Sequence, residues 1–294
     1  MGNNNTLLLF AIICFGGSLI IYSTFGTRSS EFKAYASENC DSTSTCLNTD
    51  LGSRNSQNIN CLRTSICANL ADGDSNIQSS NCLEDSTCTS SAEGNLNIQN
   101  MNCVSLSICA SSLLGDSNTE KSRCTADSIC AVAAEGNLNN QKTNCDDDSI
   151  CATAAAGDSN TQDSKCKEDS ICAVAAEGNS NTQNMNCVGL STCATATEGN
   201  LNNQDSKCKG LTVCAVAAAG NSNNQDAICK EESICSSFVE GNSNNQKTVC
   251  KLSICENRGP NTRIISSKSN VPCTSSDAGT TICHKDRILF RPSQ

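Results

Sequence analysis

Residues 166–186 read CKEDSICAVAAEGNSNTQNMN, and variants of this stretch follow one another ten times. Each opens with a C-x5-C pair, and fourteen residues separate that pair from the next cysteine. The pairs are Cys40/Cys46, Cys61/Cys67, Cys82/Cys88, Cys103/Cys109, Cys124/Cys130, Cys145/Cys151, Cys166/Cys172, Cys187/Cys193, Cys208/Cys214 and Cys229/Cys235, with a shortened eleventh, Cys250/Cys255. The period is 21. A fixed period of 20–50 residues marks a solenoid or array, whose units bury surface only against their neighbours.

Positions within the unit are counted from its first cysteine. Position 13 is Gly and position 16 is Asn in all ten units; position 18 is Gln in nine, with Glu120 the exception. Position 5 is always Ser or Thr. In 166–186 the residues at positions 14, 16, 18 and 20, with the next cysteine, are Asn179, Asn181, Gln183, Met185 and Cys187. A spacing of two puts them on one side of a strand. Ser170, Cys172 and Val174 continue that spacing, and Gly178 supplies a sharp turn. Each unit therefore reads as strand, turn, strand, turn. The fold class is all-β: a disulfide-ribbed β-solenoid of ten 21-residue coils with a C-terminal cap. Amides at positions 14, 16 and 18 are expected to point inward and stack as ladders. The competing reading is a helix over 167–179 stopped by Gly178. Ala173–Ala176 suits it, but Thr87, Thr89, Phe238 and Val239 at equivalent places prefer strands.

The cysteines have to find partners. A disulfide needs Cα atoms about 4.4–6.8 Å apart, whereas six residues of strand span about 20 Å. Bonding Cys166 to Cys172 thus requires the chain to reverse across Lys167–Ile171, a polar stretch suited to a turn. Vertical bonds between stacked coils are also within reach, at about 4.8 Å. Parity opposes them, because each column holds eleven cysteines. Pairing inside units uses all of them; Cys273 and Cys283 then make a twelfth bond, and only Cys14 is left of the 25. A seven-residue loop gives roughly 2–2.5 kcal/mol per bond by chain entropy. Eleven such bonds are worth more than a typical domain's net stability of about 5–15 kcal/mol.

Composition agrees with a frame instead of an oily core. Aromatic residues are 3% of the chain and Trp is absent. So many cysteines point to an oxidising compartment. The net charge is −10, distributed as 0 over residues 1–39, −13 over 40–255 and +3 over 256–294. An acidic body excludes nucleic acid as a partner. Residues 7–22 form an apolar run suited to a signal-peptide core, with Ala34-Tyr35-Ala36 as a small-x-small site. The alternative is an uncleaved anchor reaching Phe25, so a membrane is met only through 7–25. MGNNNT also fits the myristoylation pattern at Gly2, most simply by coincidence. The domain reading is 1–22 signal peptide or anchor, 23–39 linker, 40–255 solenoid, and 256–294 cap or tail. Export implies an extracellular or cell-surface location.

No catalytic residues are assigned, and no cofactor or metal is implied. The one histidine is His284, and no nucleophile elbow or phosphate loop is present. A cysteine spacing of five is wrong for structural zinc. Gly-Asp-Ser-Asn at 73–76, 115–118 and 157–160 lacks the full acidic set of a calcium loop. The candidate functional surface is the β-branched column at position 6: Thr45, Ile66, Thr87, Ile108, Ile129, Ile150, Ile171, Thr192, Val213 and Ile234.

Two families share pieces of this pattern. Gly-Asn-x-Asn-x-Gln, as in 178–183, resembles the repeats of curlin subunits, which implies a β-solenoid that polymerises outside the cell. The C-x5-C frame is similar to that of insect antifreeze proteins, where a Thr-Cys-Thr strand presents a threonine array to ice. Thr87-Cys88-Thr89 matches that triplet, whereas most units read Ile-Cys-Ala. The expectation is a non-enzymatic secreted or surface structural protein, with ice binding as the alternative. Its candidate partners are a second copy of itself or cell-surface material.

Overall fold

The structure, a computed structural model, describes the backbone at 11–15, 18–22, 35–251, 253–258, 262–266, 273–275 and 281–283. Side chains are described at 39–251, 253–256 and 258. The repeats form a parallel β-solenoid. The unit 166–186 contributes Ile171–Glu177 to one sheet and Thr182 to Val188, which runs into the next cysteine, to the other. Within the ten full units every strand pairs in parallel with its equivalent 21 residues away, as in Ile171↔Thr192 and Gln183↔Gln204. The two sheets have 13 and 12 strands. We call them the Ile sheet and the Gln sheet after their most regular columns. The region 167–179 is a turn followed by a strand, so the helical reading is excluded, and there is no helix among the described residues.

Alternation decides which side chains enter. Along Ile171–Glu177, Cys172, Val174 and Ala176 are buried while Ile171, Ala173, Ala175 and Glu177 face out. Along Thr182–Val188 the buried residues are Gln183, Met185 and Cys187. The interior is narrow, and its filling varies in compensating ways. Thr143 and Thr153 meet hydroxyl to hydroxyl at 3.0 Å, Asn69 bonds Ser80 at 2.9 Å, and Met185 joins Val174 in the apolar cluster.

Each coil has two turns. In eight of the ten units the first, at positions 3 and 4, holds two consecutive left-handed residues, such as Glu168 (φ 49°) and Asp169 (φ 63°); in the other two, Gly189 and Gly210 (both φ 92°) turn the chain at position 3 alone. Side chains with a Cβ occupy this region at a cost of about 1 kcal/mol or more each. Several fastenings offset it. A disulfide spans the turn, joining Cys166 to Cys172 with Cα atoms 6.2 Å apart. The buried Ser170 hydroxyl donates to the Lys167 carbonyl, and the Asp148 amide donates to the Glu168 carbonyl of the next coil at 3.0 Å. The same bond from position 5 recurs at Ser107, Ser128, Ser149, Ser191 and Ser233, while Ser65 and Ser86 donate instead to the Cys40 and Cys61 carbonyls of the neighbouring coil.

The second turn begins at the glycine of position 13. Gly178 has φ +115°, and a Cβ there would lie 2.7 Å from the carbonyl carbon of Gly157 in the coil below. Stacked turns leave no room for a side chain. At its flanks the amides do two different jobs. Position 16 is buried: the Asn181 amide N–H donates to Asn202 Oδ1 at 2.8 Å, and this repeats from Asn55 to Asn244. Position 14 is exposed, which corrects the inward placement expected from its spacing. The strand begins only at position 17, so residues 13–16 are turn and the two-residue alternation does not reach position 14. It still forms a ladder, but outside and in the opposite sense: the Asn179 N–H donates to Asp158 Oδ1.

Pairing continues past Cys255. Ile254–Arg258 extends the Ile sheet and Thr262–Ser266 extends the Gln sheet, with the register shortened to Gln246↔Thr262. Cys273–Ser275 and Thr281–Cys283 then add as antiparallel strands on the Ile sheet. Cys273 and Cys283 are register partners in the backbone; their side chains, and hence the bond expected between them, lie outside the described residues. Cys14 lies in a separate antiparallel pair, Ala11–Phe15 with Ser18–Tyr22.

Gly178→Ala is expected to lower stability by roughly 2–3 kcal/mol, from the left-handed strain and the clash with Gly157. Denaturant midpoints with the disulfides intact measure this. A midpoint unchanged from the parent protein would contradict the stacked-turn geometry.

Candidate functional site

The expected position 6 column lies on the outer surface of the Ile sheet. Thr45, Ile66, Ile108, Ile129, Ile150, Ile171, Thr192, Val213 and Ile234 are exposed and Thr87 is half-buried; Ile171 has 47% of its surface in water. Successive members are direct register partners, for example Ile108↔Ile129 and Ile129↔Ile150. The column therefore advances by about 4.8 Å per coil. Position 8 beside it is mostly alanine, including Ala131, Ala152, Ala173 and Ala194. Position 10 is alanine from Ala133 to Ala217.

Sequence reasoning missed what happens at positions 10 to 12. An open groove of about 930 Å³ runs along the Ile sheet from Ser112 and Leu114 to Phe238. Its floor is small because Ala133, Ala154, Ala175, Ala196 and Ala217 line it, and Glu135, Glu177 and Glu198 stand along one side. The signal was in the sequence as the Ala-x-Glu ending of many strands, and its meaning depended on which sheet face stays open. The Gln sheet differs. Its outer surface carries Asn, Asp, Lys and Arg, with Lys142 and Asp163 paired at 3.7 Å and Lys207 and Asp205 at 3.1 Å. The rod thus has one apolar side and one polar side.

The interior holds the disulfides and two amide ladders. Eleven bonds, from Cys40–Cys46 to Cys250–Cys255, each lie within one unit and span Cα distances of 6.0–6.5 Å. The span is not uniform along the rod. Among the full units it is widest at Cys187–Cys193 and Cys208–Cys214, both 6.5 Å, and at Cys229–Cys235, 6.4 Å. As expected, the bonds stand in for a conventional apolar core. Cys193, Cys214 and Cys235 are each 2% exposed and belong, with their partners, to one continuous buried apolar cluster. The reason is geometric. Both cysteines of a pair point inward on either side of the first turn. The bonds therefore constitute most of the apolar core instead of bracing a coil that lacks one.

Sulfurs of adjacent coils come close: the ligand atoms of Cys61, Cys82 and Cys88 lie within 4.8 Å of one another. Each of these belongs to a disulfide, and a metal would need thiolates.

The Gln ladder ties the sheets together. Gln183 Nε2 donates to Gln162 Oε1 at 2.9 Å, and across the core to the Ala196 carbonyl at 3.1 Å. The same pair of bonds recurs at Gln162, Gln204 and Gln225. Glu120 interrupts the column. It is fully buried, accepts a bond from Ser122 and leaves Oε2 without a partner. Burial pushes its carboxyl up to about 8, against the hydroxyls of Ser111 and Ser122, which favour the charged form. A neutral carboxyl has one hydrogen where an amide has two, and Glu120 makes no bond to Gln99 Oε1, so the ladder is interrupted there. Gln99 Oε1 instead accepts from Ser111.

A second group of carboxyls lines the first turn. Glu168 is held above its ordinary range, chiefly by a hydrogen bond with Asp147 and then by the charges of Asp146 and Asp147. Lys167 offsets part of this from 3.5 Å of Asp146.

Comparison with family models, curated proteins and solved structures finds no match. The similarity to curlin subunits and insect antifreeze proteins therefore rests on the residues quoted for it. What the structure shows is a β-solenoid with regularly spaced disulfides.

Glu120 gives this protein a definite pH response. Its folded-state carboxyl titrates above the unfolded value, so its stabilising contribution is complete below about pH 4.5 and is lost as pH rises towards 8. A tenfold change in proton affinity is worth about 1.4 kcal/mol. Glu120→Gln is expected to flatten stability across this window and to raise it at pH 8 by a few kcal/mol. Urea midpoints from pH 4 to 9 test this; parallel curves for variant and parent would refute the buried neutral carboxyl.

Proposed function

We propose that this chain is a non-enzymatic structural rod that works outside the cell or at its surface, as a scaffold, adhesion element or fibre component. The observation that carries this reading is the unbroken column of disulfides. Such a frame persists where the cytosolic reducing systems do not reach it. Residues 7–22 supply a segment for export, either removed or kept as the anchor. Ten coils at about 4.8 Å make a rod roughly 50 Å long, stiff because every coil is bonded to itself and laddered to its neighbours. Regular flat faces suit repeated contacts, with a second copy or with surface material as the partner.

The test is surface labelling of intact cells that make the protein. A membrane-impermeant amine reagent is expected to modify lysines such as Lys121 and Lys247 without lysis. Labelling only after lysis would overturn the assignment.

Ice binding is the second reading, favoured by the flat position 6 column at a constant spacing. Only Thr45, Thr87 and Thr192 bring hydroxyls to it. An ice-recrystallisation assay on the folded protein is expected to show little inhibition. Strong inhibition at micromolar concentration would replace the scaffold reading with this one.

A further inference from the structure

We propose that the outer face of the Ile sheet is a homodimer interface, on which a second copy of this chain seats its own Ile sheet with the two rods parallel. This rests on the reading of the protein as a rod with regular contact faces, and it names the partner of one of them.

The first support is the size and composition of the face. From Ile108 to Phe238 the outward columns at positions 6, 8 and 10 hold no charged residue. Carboxylates enter only at position 12, as Glu135, Glu177 and Glu198, along one side. Seven coils at about 4.8 Å, with seven-residue strands at about 3.3 Å per residue, make this face roughly 34 by 23 Å. The area is about 800 Å², above the roughly 300–600 Å² of the largest apolar patch on a typical monomer. It is close to what each partner buries in an interface of standard size.

The second is shape. The isoleucines of position 6 form a ridge, and the alanines of position 10 floor a groove four residues further along the same strand. A twofold axis parallel to the rods reverses the partner's strands and keeps its coils level. The ridge around Ile150 in each copy then lies over the groove around Ala154 in the other, and the two contacts are identical by symmetry. Ridge and groove advance together, because both follow the sheet register. A fit made in one coil is therefore repeated in the next, and a second copy has the required step by construction.

The third is charge. In the parallel pair the position 12 carboxylates of the two copies lie at opposite edges of the contact, beside water. A twofold axis across the rods would instead set one carboxylate column against the other, which costs several kcal/mol. The strand Ser18–Tyr22 approaches Ile129–Glu135, but a single five-residue strand leaves most of an 800 Å² face open.

Sedimentation equilibrium of the full chain, with its disulfides intact, tests this. The expected species at micromolar concentration has twice the mass of one chain. Ile150→Lys with Ile171→Lys puts two ammonium groups of each copy into the contact and should weaken the dimer about a hundredfold or more, with far-UV circular dichroism unchanged. Thr182→Lys with Asn203→Lys, an equally adjacent pair on the Gln sheet, should leave it intact. Raising the salt to 1 M should tighten the dimer, because the contact is apolar and the two rims carry like charge. A parent protein that stays monomeric at about 100 μM, a dimer that survives the Ile150 and Ile171 changes, or dissociation in high salt would each overturn the proposal. Mass that keeps growing with concentration would overturn the closed pair in favour of an open fibre. None of these results bears on whether the protein works outside the cell, which surface labelling decides.

Discussion

The whole structure depends on the chain reversing within five residues between two cysteines. That reversal brings Cys166 and Cys172 to a Cα separation of 6.2 Å and turns one strand into two that belong to opposite sheets. Without it the unit would be a single long strand, and no interior would exist. In most coils the reversal uses two consecutive left-handed residues, an arrangement that peptides avoid. The disulfide, the position 5 hydroxyl and the amide–carbonyl bonds of the stacked turns hold it together. Once one coil closes, the next is registered on it by 21 residues, because any other offset would separate cysteine from cysteine and amide from amide.

A narrow solenoid cannot build a wide apolar core, and this one fills its interior with disulfides at one end and amides at the other. Buried amides are costly unless each finds a partner. In-register stacking provides a partner from the neighbouring coil, as each of Gln162, Gln183, Gln204 and Gln225 donates to the glutamine 21 residues before it. That explains why Gln183 or Asn181 can be buried in a chain with so few large apolar residues. It also explains why Glu120 stands out: a carboxylate in a column of amides breaks the donor sequence, and burial keeps it neutral. The outer surfaces are left free to differ. The Ile sheet is smooth and apolar, the Gln sheet is polar, and acidic turns run down one edge.

Much of this is legible in the residues. The period, the two-residue alternation around Cys187 and the invariant glycine lead directly to stacked coils. The exposed position 6 column follows from the same alternation, since Ile171 lies between the inward Ser170 and Cys172. Position 14 is misplaced when alternation is carried across a turn, where side-chain direction is set by local dihedrals and not by the pleat. The groove is hidden in the sequence because it depends on side-chain size across seven coils. Ala154 means little alone; stacked on Ala133 and Ala175 and bounded by Leu114 and Phe238 it becomes a trough. The exception at Glu120 is visible in the sequence, whereas its full burial and missing partner emerge only from the structure.

Coil closure stands or falls on the pairing of the cysteines. Peptide mapping of the unreduced protein by mass spectrometry tests this most directly, because cleavage after Lys165, Lys167 and Glu177 puts Cys166, Cys172 and Cys187 in three separate fragments. The expected result is a bond from Cys166 to Cys172, repeated in the other units. A bond from Cys166 to Cys187 would contradict it, since the coils would then be riveted to each other and not closed on themselves.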